Sequence, residues 1–218
     1  MISRGMGVGA RHVGRACDAY RPAGPADPLA PANRFLRMTA AFNAADPTFR
    51  RSTNYGQPVW YAIFDSAYTR PGDYVVESEG RNVWFIASQP HLLPVVCVMT
   101  NRVMSFFRPS APKLPGANRY GGVDRDRTEQ LLSNWPARIV AGDSGEREPA
   151  RLPSDVRLGG YKVLLPASAQ LSERGASAAA GTLRADDFIA DDLGRNYVID
   201  STELTELGWR LSVKLATT

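Results

Sequence analysis

The sequence predicts an all-β protein: two related small β-barrel or sandwich units in tandem, with long loops and little helix. Three observations lead there. Short runs rich in Val, Ile, Tyr, Phe and Trp recur along the chain, separated by Gly, Pro, Asn and Asp about every dozen residues. The stretches between them are rich in Pro, Gly, Ala and Ser, and helix is scarce, with room for a helical turn around Ala178. The chain also repeats itself. Laid without a gap, residues 73–88 and 187–202 share Asp (Asp73, Asp187) and Gly-Arg-Asn (Gly80-Arg81-Asn82, Gly194-Arg195-Asn196). They share a Ser within one place as well (Ser88, Ser201). A second echo precedes the first in each half. Tyr20-Arg21-Pro22 leads to Asn33-Arg34-Phe35, and Phe107-Arg108-Pro109 leads to Asn118-Arg119-Tyr120. Two matches in one order mark a duplicated unit, which has to be recognised before the fold is assigned.

Residues 1–16 are Gly-rich and basic (Arg4, Arg11, Arg15), and are expected to form a flexible N-terminal arm. Gly5-Met6-Gly7-Val8-Gly9-Ala10 superficially fits a dinucleotide fingerprint. That motif needs a strand before it to present backbone amides to a pyrophosphate, and only Met1 to Arg4 precede it. Residues 17–100 form the first β unit and 101–218 the second.

In the first unit a short strand at 18–21 ends at Pro22, and Pro22, Pro25, Pro28 and Pro31 predict a stiff extended loop. Residues 33–42 are mixed in pattern and fit a strand or a helical turn, 58–64 form a strand, and 73–99 supply the first Gly-Arg-Asn hairpin and the strand after it. In the second unit strands are expected at 102–107, 131–140 and 161–165, and 187–215 supplies the closing hairpins. Between the last two lies a long loop over 167–185, too poor in large apolar residues to offset the entropy of ordering. As a hairpin connection it is far longer than usual, which makes it a candidate contact surface through Glu173, Arg174 and Arg184.

Composition bounds the function. With 44% apolar and 22% charged residues, the 218-residue chain is of ordinary globular type. A net charge of +4, almost all of its cations Arg, is a weak pointer to a DNA-facing surface. The start lacks the apolar core of a secretory signal, and residues 92–99 are too few to span a bilayer. No membrane is expected. Cys17 and Cys97 lack metal or redox spacing and are expected as buried free thiols, with no cofactor or metal.

No enzyme is expected either. Asp186, Asp187, Asp191 and Asp192 could in principle share a metal or a proton, but the pattern reads as a solvated hairpin tip. With His12 and His91 the only histidines, Ser88 and Ser201 have no triad spacing. A single-strand nucleic-acid module is the reading from another class, with Tyr20, Phe107 and Tyr120 as stacking platforms beside Arg21, Arg108 and Arg119.

At two places the chain resembles the head–tail joining proteins of tailed bacteriophages, also called head-completion or stopper proteins. The first runs from Ser105-Phe106-Phe107-Arg108-Pro109 through Tyr120-Gly121-Gly122 to residues 132–137 with Trp135. The second is the ending over 187–213: an Asp-initiated strand, a Gly-Arg turn, Thr202-Glu203-Leu204, then Gly208-Trp209-Arg210-Leu211. The resemblance implies a small β-barrel and a virion protein, made in the host cytoplasm, that forms a ring in the neck below the portal. Its implied partners are copies of itself, portal or adaptor and tail proteins, and passing duplex DNA, touched without sequence preference. This chain is about twice as long as a single such barrel, so a tail-nozzle or tube-proximal adaptor layer is the alternative position.

Overall fold

A computed structural model describes residues 2–43, 58–79, 82–91, 93–109, 128–142, 160–169 and 182–216. One helix, α1 (Ile2–Val13), precedes the strands. The first six strands are β1 (Arg15–Tyr20), β2 (Arg34–Asn43), β3 (Val59–Ile63), β4 (Tyr74–Glu77), β5 (Val83–Ser88) and β6 (Val95–Met99). The next six are β7 (Arg102–Pro109), β8 (Thr128–Ala141), β9 (Gly160–Leu165), β10 (Phe188–Asp191), β11 (Asn196–Thr205) and β12 (Gly208–Leu215). Each set closes into a barrel, in the order β1-β2-β3-β6-β5-β4 and β7-β8-β9-β12-β11-β10. Numbered from its own first strand, the second order is the first. Every pairing is antiparallel, so each barrel is two three-stranded meanders joined along both edges, which removes the open edges of a flat sheet.

The repeat extends to irregularities. Both barrels carry a bulge in the fifth strand, at Ile86/Ser88 against β6 and at Ile199/Ser201 against β12. Both break register in the first strand, at Ala19/Tyr20 and at Phe106/Phe107. Bulges are built features that re-aim a strand, so their recurrence at matching places is strong evidence of duplication. The gapless alignment needs one correction. Tyr74 pairs with Phe85, but Phe188 pairs with Val198, so the second hairpin is one residue tighter. Beyond the turn Ser88 therefore matches Ser201, and Asn82 and Asn196 are not equivalent. Gly194, at φ 75°, makes the tighter turn without a Cβ clash.

Strand alternation decides what points inward. The first core holds Cys17, Ala40, Ala62, Phe64, Val75, Trp84, Ile86, Val95 and Cys97. The second core includes Met104, Phe106, Leu132, Val163, Leu165, Ile189, Tyr197, Ile199, Leu211 and Val213. Its apolar cluster continues into Tyr74, Phe85, Ala87 and Val98, which point away from the first core. The two barrels therefore share an apolar interface. Tyr74 packs edge-on against Trp135 with ring centroids 6.1 Å apart, and its hydroxyl donates to the Pro136 carbonyl at 2.8 Å. Ser168 Oγ donates to the Gly72 carbonyl at 2.8 Å. Gly72 is required there: its φ is +94°, and a Cβ would meet that of Ser168 at 2.7 Å.

Three segments differ from expectation. Residues 1–16 hold α1 and the start of β1 in place of a flexible arm. Burial of Ala10 seats the helix on β2 and β3, while Arg4, Arg11 and His12 face outward. The proline loop is tied down within the chain. The Pro25 carbonyl accepts from Ser133 N at 2.9 Å and Trp135 Nε1 at 3.0 Å, and Leu29 packs on the shared cluster. The segment over 167–185 does not connect a hairpin, since β9 and β10 lie on opposite sides of their barrel. Residues 170–181 lie outside the described residues; at the described ends of the segment Ala169 and Leu183 are buried.

The buried acids make stability pH-dependent. Burial, then the Glu77 charge, pushes the Cys17 thiol up to about 11, and burial pushes Cys97 higher. Burial, then the Asp27 charge, holds the Tyr74 hydroxyl well above its ordinary value. The unfolded chain releases these protons at lower pH than the fold does. The stability is therefore present in full below the ordinary thiol value of 9.0 and is lost as pH rises through about 11. Urea midpoints should stay level up to about pH 8.5 and fall above about pH 9, less steeply in Cys97→Ala. A midpoint that stays level through pH 11 would contradict these environments.

Candidate interaction surface

The duplicated motifs converge on one device per barrel. In the first, Arg21 Nε donates to Asp73 Oδ1 at 2.9 Å and Nη2 donates to Oδ2 at 2.7 Å. In the second, Arg108 makes the same pair to Asp187 at 2.9 and 2.8 Å. Each Arg also caps the crossover segment, through the Tyr68 carbonyl at 3.0 Å and the Thr182 carbonyl at 2.7 Å. Arg70 N and Arg184 N each donate 3.0 Å to the carboxylate from the far side. A planar guanidinium matches a carboxylate bidentately, and the Pro that follows ends the strand so the side chain can turn inward. Hydrogen bonding to the carboxylate raises the pKa of both arginines. These clasps fasten the first strand, the fourth strand and the barrel-end crossover together.

This placement corrects the reading of the acidic cluster. Asp187 and Asp191 are buried rather than solvated, and only Asp186 and Asp192 are exposed. Asp191 Oδ1 accepts from Leu193 N and Arg195 N at 3.0 and 2.7 Å, and Oδ2 accepts the Tyr197 hydroxyl at 3.1 Å. The carboxylates shape the hairpin from inside. Among the described residues, no group of three or more His, Cys, Asp or Glu is placed to hold a metal. Cys17 and Cys97 are buried and free.

The stacking reading loses its described arginines as well. Arg21 and Arg108 are consumed by their carboxylates, and Tyr20 packs against the barrel interface. Arg119 and Tyr120 lie outside the described residues. So do Glu173 and Arg174 of the expected contact loop. Arg184 is exposed, with its Nε 3.9 Å from Asp187, matching Arg70 at 3.9 Å from Asp73.

One apolar surface went unnoticed in the sequence. Tyr20, Tyr74 and Phe85 lie in register across β1, β4 and β5, facing out of the first barrel. Phe107, Phe188 and Val198 repeat that ladder across β7, β10 and β11. Tyr74 and Phe85 of the first ladder are buried on the second barrel, with Tyr20 partly buried beside them, whereas all three members of the second ladder are half-buried among the described residues. The signal was available as an aromatic residue beside a buried core position (Tyr20 beside Ala19, Tyr74 beside Val75, Phe107 beside Phe106, Phe188 beside Ile189), but its meaning depends on what covers it.

Among the described residues no helix is long and apolar enough to cross a membrane. Comparison with protein-family models, curated proteins and solved structures found no match to this chain.

Proposed function

We propose that this chain is a structural virion protein of a tailed phage, a subunit of a ring in the head–tail neck below the portal. In this reading it performs no catalysis. Its work is to complete the head, seal it and let duplex DNA pass. The observation that carries the proposal is the tandem duplication of one closed barrel, in the segments that resemble the head-completion proteins. A rigid pair of barrels with repeated surfaces suits a ring layer. The inward use of Arg21 and Arg108 suits a conduit too, because a continuous basic groove would retain the DNA that has to move. Which layer it forms, stopper, adaptor or nozzle, belongs to the same proposal.

The test is electron microscopy of the full chain alone and mixed with portal-bearing heads. Rings, or added density at the portal vertex with DNA retained in the heads, are the expected result. Absence of rings and of portal-bound density, together with tight and salt-sensitive binding of single-stranded DNA, would overturn the proposal.

A further inference from the structure

We infer that copies of this chain join head to tail by repeating the contact between its own two barrels, and that α1 occupies the receiving face until a neighbour displaces it. The inference rests on the ring reading only in taking the partner to be another copy.

Within the chain the donor face is the Tyr20–Tyr74–Phe85 ladder. The receiving face is built from β8 and Ser168, just after β9, of the second barrel. Tyr74 meets Pro136, and Ser168 meets Gly72. The pairings identify the matching receiving face on the first barrel. Trp135 lies opposite Met104 as Met38 lies opposite Cys17, so Pro136 and Ala137 correspond to Thr39 and Ala40. The crossover after β9 corresponds to that after β3, and Ser168 to Ala67.

That face is where α1 sits. The helix packs on β2 and β3, and a Cβ on Gly7 would lie 2.8 Å from Asp65 Cβ in the segment after β3. The helix also runs directly into β1, as β6 of the first barrel runs into β7. Thus α1 holds on the first barrel the place that the first barrel holds on the second.

The second barrel's donor face is the Phe107–Phe188–Val198 ladder, which is only half-buried among the described residues. Its rim has become polar, with Lys214 and Asp200 paired at 2.8 Å on the outer face. An apolar centre with a charged rim suits a reversible interface. The occupant it must displace is weakly held. Among the described side chains of α1, Ala10 is the fully buried one, while Val8 and Val13 are exposed by 49% and 74%. Gly5, Gly7 and Gly9 each weaken the helix by about 1 kcal/mol relative to Ala. A donor face meeting a different receiving face is a heterologous contact, which closes into a ring or runs on as a filament.

The test uses the exposed pair Ala67 and Asp186, the counterparts of Ser168 and Gly72. Asp186 carries the Cβ that Gly72 lacks, so the 2.7 Å separation has to open between copies by about 1 Å, which brings it into disulfide range. Ala67→Cys and Asp186→Cys proteins mixed at equal concentration should then cross-link under mild oxidation. Ala10→Glu, or independently Gly7→Leu, should loosen α1 in the full chain and raise the cross-linked fraction at least tenfold at low concentration. Phe188→Asp in the same backgrounds should return it to background. If Ala10→Glu and Gly7→Leu both leave cross-linking at background while rings still form with portal, another face joins the copies. The inference then falls and the ring reading stands. If neither cross-links nor rings appear, both fall.

Discussion

Replacing Arg108 with Ala should destabilise the protein by about 3–5 kcal/mol, because it strands the Asp187 carboxylate in the interior. The side chains of Arg108 and Asp187 are 9% and 1% exposed, so solvent cannot take over the lost hydrogen bonds. The Thr182 carbonyl loses its donor too, which frees the end of the crossover. Arg21→Ala should cost less, since the Arg21 side chain is 35% exposed and water can reach the vacated site. Arg108→Lys should rescue little, as a point charge cannot span both carboxylate oxygens. Replacing both partners by Met and Leu should recover most of the loss, because the cost lies in the unpaired charge. Urea unfolding of the four variants decides it. Equal losses for Arg21→Ala and Arg108→Ala, or full rescue by Lys, would contradict this account.

Trp135→Ala should cost about 3–5 kcal/mol and change the form of the unfolding transition. Trp135 is the largest fully buried side chain of the molecule, and it touches both barrels. It supports the ring of Tyr74 and donates Nε1–H to the Pro25 carbonyl of the proline loop. Its removal should uncouple the barrels, turning one guanidinium transition into two. Trp135→Phe keeps most of the volume and loses one hydrogen bond. The Pro25 carbonyl still accepts from Ser133 N, so that variant should lose only about 1 kcal/mol and keep a single transition. A single, barely shifted transition in Trp135→Ala would mean that other contacts hold the barrels together.

Strand content, duplication and the two barrel-sized units were legible from the chain alone. Alternation of β-branched and aromatic residues is a local property, and β3, β7, β9 and β12 lie close to where the pattern places them. The repeated Tyr20-Arg21-Pro22 and Phe107-Arg108-Pro109 motifs were equally visible, as were Asp73 and Asp187. Their pairing was not, because an ion pair across 52 or 79 positions leaves no local trace in one sequence. For the same reason the acidic cluster read as a solvated tip: burial of Asp187 is set by Arg108, which arrives from the far end of the unit. The α1 segment failed for a related cause. Gly5, Gly7 and Gly9 argue against helix on propensity, and only docking of Ala10 on the first barrel outweighs that cost.

The sequence by itself determined which segments become strands, that the unit occurs twice, and that two thiols are buried. Only the tertiary structure decided which aromatic face is covered and which remains outside. Tyr20, Tyr74 and Phe85 read the same as Phe107, Phe188 and Val198 along the strand. What separates them is the neighbour each ladder meets, and closure of two barrels against each other is a long-range event that no local pattern encodes.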